Sequence, residues 1–298
     1  MHALIYRAAF KNRLHLCHLT ITHARPLRIL DIGYGTGTWT EEMAKSYPQA
    51  RITGIDLVPF LVSNSAQSIR NLSPVDFNTD EWPVEPASQD LIHAAQLAGS
   101  VSDWSKLYAT AYSHLRPGTG QLELIEIDWT PRLQPFTPLL ETDIAVREWW
   151  EGVYLASQQS NYPMSLPRNI DTLLETVGFV DIVHRKIQIP FAGTPGDASR
   201  SSISDWFQCS VGYKMAPNAF AALGLHHLST GLDIGEVQAR GMCADALRGA
   251  NARGTGLYFD LHVYTARKPN RGSQQRATDS RRERFNRTPS DPEARHER

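Results

Sequence analysis

Cysteine is scarce in this 298-residue chain. Cys17, Cys209 and Cys243 stand far apart, are odd in number and form no C-x-x-C pair, which argues against a zinc ribbon, a dithiol redox centre and a disulfide-stapled scaffold. Charge of one sign is lacking too: 30 Lys and Arg against 31 Asp and Glu leave a net charge of −1. That is too little to draw the whole molecule to nucleic acid or an anionic membrane, and no local nucleic-acid signature replaces it. No apolar run approaches the ~20 residues of a membrane helix, and Arg7, Lys11 and Arg13 interrupt the first residues where a signal-peptide core would lie. The expectation is an intracellular protein, nuclear or cytoplasmic, with reduced thiols and no membrane contact. The N-x-[ST] matches at Asn71 and Asn286 are then chance. What the chain does have is a 41% hydrophobic content, enough for a full-sized core.

The apolar residues recur as alternating strand and helix. Residues 27–32 read as a buried strand running into glycines. Thr38-x-x-Glu41 reads as a capping box, and Trp39, Met43 and Tyr47 put one helical face on a sheet before Pro48. Arg51–Asp56 is a second strand, a weaker helix over about 60–70 follows, and a third short strand ends near Asp76-Phe77. Asp90–His93 is a fourth strand, and a helix capped at Ser102 or Asp103 carries Trp104, Leu107, Tyr108, Ala111 and Leu115 on one face. Gln121–Asp128 is a fifth strand, Ile170–Val177 a helix stopped at Gly178, Val180–Ile189 a strand, and Leu257–Arg267 the last strand. The class is α/β: a doubly wound, mostly parallel seven-stranded sheet. A helical insertion over 190–256, with helices around Ile203–Tyr213 and Ile234–Leu247, precedes the last strand and is a candidate active-site cover. Residues 1–26 form an N-terminal segment, 27–268 the main domain, and 269–298 a disordered, partly basic tail.

Ligands of such sheets bind outside the carboxyl ends of the strands, where Asp31-Ile32-Gly33-Tyr34-Gly35-Thr36-Gly37 falls. A dinucleotide site needs a small third residue and a helix N-terminus facing pyrophosphate, whereas here Thr38 takes that position and Asp31 sets a carboxylate beside it. S-adenosyl-L-methionine (SAM) carries no phosphate, and its ammonium and sulfonium suit an acidic neighbour. Asp31 is expected on the ammonium side, directly or through water. Gly33, Gly35 and Gly37 allow close backbone approach. Asp56, with Leu57 beside it, is placed at the ribose hydroxyls, Asp76 at the adenine amino group, and Phe77 or Trp82 over the adenine face.

These motifs, with Leu30–Trp39, Asp90-Leu-Ile-His93, Gly99-Ser-Val-Ser-Asp-Trp104, His114-Leu-Arg-Pro-Gly118, Ile125-Glu-Ile-Asp128 and His262–Arg267, resemble class I methyltransferases. More narrowly, they resemble the fungal LaeA-like group of regulators of secondary metabolism. The resemblance implies a Rossmann-like methyltransferase fold, SAM as cofactor, no metal, an unidentified methyl acceptor and regulatory protein partners. It also implies an N-terminal cover with a tyrosine and an acidic stretch, which residues 1–26 do not match; that segment reads as shortened and built for packing. Relatives carry arginine where this chain has Ala95. Methyl transfer is an in-line displacement that rewards alignment, and where the acceptor loses a proton the candidate bases are His93, Glu126 and Asp128. His93 also borders the expected cofactor pocket. The alternatives are a small-molecule O- or N-methyltransferase of a biosynthetic pathway and a catalytically weak scaffold.

Overall fold

The computed structural model describes residues 9–22, 24–58, 69–71, 74–78, 81–136, 138–190, 219–253 and 257–270. Its first half is β1 (Arg28–Ile32), α1 (Thr38–Ser46), β2 (Arg51–Ile55), β3 (Ile69–Asn71), β4 (Leu91–Ala95), α2 (Trp104–His114) and β5 (Gln121–Leu133). Then come α3 (Glu141–Gln158), α4 (Ile170–Val177), β6 (Val180–Pro190), α5 (Ala219–Gly231), α6 (Glu236–Arg253) and β7 (Leu257–Arg267). The seven strands form one sheet in the order β3-β2-β1-β4-β5-β7-β6. All neighbours from β3 to β5 are parallel, and β7 runs antiparallel to both β5 and β6. Winding reverses between β1 and β4, which pair from Ile29↔Leu91 to Ile32↔Ala94, so the crevice of an open α/β sheet lies at their carboxyl ends.

Strand alternation divides the core in two. Ile29, Leu91, Ile125 and Ile127 face α1, residues 10–17 and the α3, α5 and α6 group. Leu30, Ile32, Ile92, Ala94, Leu122 and Leu124 face α2, α4 and the loop carrying Phe77 and Trp82.

Several local expectations change. The helix expected over about 60–70 falls outside the described residues except at its end, where Ile69 and Arg70 are already strand. The third strand ends at Asn71, not near Asp76-Phe77; Pro74 offers no N–H to a ladder, and Asp76 folds a side-chain turn onto the Asn78 amide at 2.9 Å. The capping box on α1 does not form: Gly37 is the N-cap, without a side-chain bond, and its carbonyl accepts from the Glu41 amide at 2.9 Å. At α2 the Asp103 carboxylate does cap, accepting from the Lys106 amide at 3.1 Å.

Helix α3 was missed, although its signal is present. Asp143 accepts from the Leu140 amide at 2.8 Å, and Val146, Trp149, Val153 and Ala156 are buried at helical spacing. That stripe receives α5 and α6, where Gly224 lets the backbone approach: a Cβ there would lie 2.6 Å from both the Trp149 Nε1 and the Val153 Cγ2. The described part of the insertion is therefore α5 and α6 packed on α3. The helix expected around Ile203–Tyr213 and the tail beyond residue 270 lie outside the described residues.

Candidate functional site

At the carboxyl end of β1 the chain turns through the glycine loop. Gly33 has φ +64°, and a Cβ on it would lie 2.5 Å from the Leu97 Cδ2, so only glycine fits. Its amide donates to the Ile55 carbonyl at 2.8 Å, which ties the loop to the end of β2. Gly35 has φ +55° and an open approach, the nearest atom to a Cβ there being the Gly33 carbonyl oxygen at 4.0 Å. The Gly35 amide donates to Asp56 Oδ2 at 2.8 Å and the Val58 amide to Asp56 Oδ1 at 3.0 Å. Asp56 thus stands partly exposed at the tip of β2 with one bond on each oxygen and lone pairs left for further donors. Leu57 next to it is 62% exposed.

Asp31 lies beneath the loop rather than in it. It is buried and accepts a 2.6 Å bond from the Thr40 hydroxyl. Burial pushes its carboxyl up to about 6, against the pull of neighbouring His93 and the Thr40 bond. Asp76 accepts from both the amide and the side-chain nitrogen of Asn78 at 2.9 Å. Asn78 in turn donates to the Ser100 carbonyl and accepts from the Ser102 amide, joining this loop to the one after β4. Phe77 is buried with its ring edge toward Gly33. Trp82 is not at the loop. Its ring stacks on His114 at 5.2 Å and lines a cavity with Arg28 and Arg51 at the amino ends of the strands.

The three expected bases separate. His93 is 1% exposed on the α1 face of the sheet, its ring 3.7 Å from that of Trp39 at an interplanar angle of 3°. Its Nδ1 donates to Glu123 Oε2 at 2.9 Å. Glu126 is also 1% exposed, on the α2 face, and accepts from the Leu97 amide at 2.6 Å and the Ala98 amide at 3.3 Å. It therefore pins the loop whose Leu97 meets Gly33. Asp128 lies further out on β5 and borders a cavity of about 910 Å³. Burial alone would raise its carboxyl, but bonds from Thr130 and Arg132 hold it below the ordinary range.

That cavity has three walls. β5 runs past its pairing with β4 to Leu133, still paired with β7 through a register shift between Asp128 and Arg132, and supplies Thr130, Arg132 and Leu133. α3 presents Arg147, Trp150, Glu151 and Tyr154, the i, i+3, i+4, i+7 stripe adjoining the one packed on α5. The chain after α3 closes the third side with Ser165, Leu166 and Arg168. Met164 links this wall to the glycine loop: its Sδ would lie 2.4 Å from a Cβ on Gly99, two residues beyond Leu97, and the Gly99 amide donates to the Pro163 carbonyl at 3.1 Å. Among the described residues lining the cavity there is no histidine, cysteine or lysine. The sequence reading missed Leu97, Gly99 and Asn78 as builders of the site; the positive φ of Gln96 and Gly99 is the backbone reason this loop can fold back, and only Gly99 marks it in the sequence.

Glu126 yields a pH prediction. Burial raises its carboxyl from 4.5 to about 8, with the two amide bonds offsetting part of the rise. A carboxyl whose folded pKa exceeds its unfolded one binds more protons when folded, so stability falls as pH climbs from about 4.5 towards 8, by on the order of a few kcal/mol. Thermal melts at pH 5.5 and 8 are expected to differ less for Glu126→Gln than for the wild type. Equal pH dependence in the two proteins would remove Glu126 as its source.

A doubly wound sheet with a glycine turn at its switch point and an acidic residue ending the next strand is the arrangement of a class I methyltransferase. A methyltransferase-domain family model matches residues 4–184. The chain is 33% identical over 248 residues to the secondary metabolism regulator LAE1 of Cochliobolus heterostrophus, covering 83% of this chain and 78% of that one. It is 31% identical to the secondary metabolism regulator laeA of Aspergillus flavus, covering 83% and 64%. With a protein of Emericella nidulans named protein-methionine methyltransferase laeA it shares 30% identity, covering 81% and 62%. The chain belongs to the LaeA-like group of SAM-dependent methyltransferases. It spans just under two thirds of the length of the last two relatives.

The residues present fit SAM. The glycine loop leaves backbone approach open at Gly35, and the partly exposed Asp56 carboxylate keeps lone pairs for two hydroxyl donors. Among the described residues no helix is long and apolar enough to cross a membrane.

Proposed function

We propose that this protein transfers the methyl group of SAM to an acceptor seated in the cavity between the β5 extension and α3, and that, like its relatives, it regulates secondary metabolism. The observation that carries the reading is the joint position of the glycine loop and Asp56 at the switch point, joined to the cavity wall through Leu97, Gly99 and Met164. SAM supplies an electrophilic methyl on a sulfonium. The chain's own residues align and shield. Asp56 holds the ribose hydroxyls, Gly33 and Gly35 admit the ligand to the backbone, and Asp31 provides negative charge below the loop toward the ammonium end. Phe77 borders the adenine, with Asp76 at its amino group. His93 and Glu126 act as positioning residues, the first under Trp39 and the second on the Leu97 and Ala98 amides.

Asp128 is the one expected base that borders the cavity, and Arg132 keeps it ionised and weakly basic. A weakly basic Asp128 suits an acceptor with no proton to lose at the reacting atom. A thioether sulfur is such an acceptor, in keeping with the name of the Emericella relative. The cavity volume falls in the range of small-molecule sites, which favours a biosynthetic small molecule as the second reading. Titration calorimetry with SAM and with S-adenosylhomocysteine tests the reading: both are expected to bind with one site per chain. Binding of neither would leave the scaffold alternative. Asp128→Asn is expected to leave both affinities within about twofold of wild type; a large loss would move Asp128 into the cofactor site.

A further inference from the structure

Arg147 and Arg168 line the cavity on separate walls, one on the cavity-facing stripe of α3 and one on the chain after it. Neither makes an ion pair or a side-chain hydrogen bond among the described residues. The third arginine of the cavity, Arg132, is committed to Asp128 at 2.6 Å and Asp260 at 3.2 Å. Once that pair is set aside, the lining holds two guanidiniums against the single carboxylate of Glu151. Beside them stand Trp150, 6% exposed, and Tyr154, 38% exposed. Arginine's planar fork matches a carboxylate in a bidentate geometry, and a guanidinium that folding has not paired is available to a ligand.

We propose that the cavity anchors its methyl acceptor through a carboxylate held by Arg147 and Arg168, with the acceptor's apolar part against Trp150 and Tyr154. The proposal rests on the cavity being the acceptor site and adds the chemistry that selects the acceptor. A carboxylate reaches this site from a small organic acid or from an acidic residue beside the methylated one in a polypeptide.

Two probe pairs separate these sources. In the presence of S-adenosylhomocysteine, ligand-observed NMR titrations compare 4-hydroxyphenylacetate with its amide, and acetyl-Asp-Met-Asp-amide with acetyl-Asn-Met-Asn-amide. At least one acid is expected to bind tenfold or more tightly than its neutral partner. That preference is expected to shrink to less than threefold in the R147A/R168A double variant and to weaken with salt. Both positions are exposed, so the variant is expected to keep the wild-type melting temperature and to bind S-adenosylhomocysteine within twofold. The pair that discriminates identifies the source. No preference for either acid, or a preference that survives in the double variant, overturns the proposal. Failure of the wild type to bind S-adenosylhomocysteine would instead overturn the methyltransferase reading on which it rests.

Discussion

Asp56→Ala is expected to weaken SAM binding by roughly a hundredfold, about 3 kcal/mol, with the sheet intact. Two hydroxyl-to-carboxylate bonds are lost at once, each of the charge-assisted kind worth about 1.5–3 kcal/mol, and solvent at the partly exposed strand tip returns part of that. A second contribution comes from the loop. The same carboxylate accepts the Gly35 and Val58 amides, so its removal frees the glycine turn and charges the ordering of that turn to binding. Asp56→Asn keeps one acceptor oxygen and is expected to fall between alanine and wild type. Calorimetric titration beside a thermal melt decides the matter: unchanged affinity in a folded alanine variant would take Asp56 out of the cofactor site.

The largest stability loss is expected at Glu123. Its carboxylate is fully buried and accepts from the His93 ring at 2.9 Å and from the Leu16 amide at 2.6 Å. It thereby joins β4, β5 and the N-terminal segment. The same segment is stitched down by the Trp39 indole donating to the Leu14 carbonyl at 2.8 Å and by His15 against the Tyr47 hydroxyl at 2.8 Å. Gln121 adds a bond with the His18 backbone. Removing the carboxylate leaves the buried His93 ring and the Leu16 amide without that acceptor, at about 1–3 kcal/mol for each donor and so about 2–5 kcal/mol together. Glu123→Ala is expected to lose that much in urea denaturation. Glu123→Gln, which keeps the shape and an acceptor for the Leu16 amide, is expected to lose less. A loss below about 1 kcal/mol in the alanine variant would show that the apolar contacts of Leu14 and Cys17 and the bonds of Trp39, His15 and Gln121 hold residues 14–18 to the sheet without Glu123.

The clamp also explains why His93 was legible as a residue of interest but not as to its role. Strand parity places His93 on the same face as Leu91, and that much is in the sequence. Whether the face is open to an acceptor depends on Trp39 and on residues 14–17, which are distant in the chain and come to it only in the folded state. Glu126 is the mirror case. Its parity points it to the α2 side, and what it meets there is the backbone of Leu97 and Ala98, a contact no side-chain pattern records.

What the sequence determined by itself was local: strands bounded by glycine and proline, helices with one apolar face, and a glycine turn flanked by Asp31 and Asp56. Each of these is written within a few residues, because backbone sterics and the 2.0 and 3.6 periodicities act at that range. The tertiary structure alone decided which carboxylates are spent on backbone amides and which remain exposed, and that Trp82 packs away from the loop. It alone assembled the acceptor cavity from β5, α3 and residues 165–168, since three walls contributed by separate segments have no shared spacing to read. Burial and pairing are properties of neighbours in space, and these fix whether an ionisable side chain holds the fold together or faces a ligand.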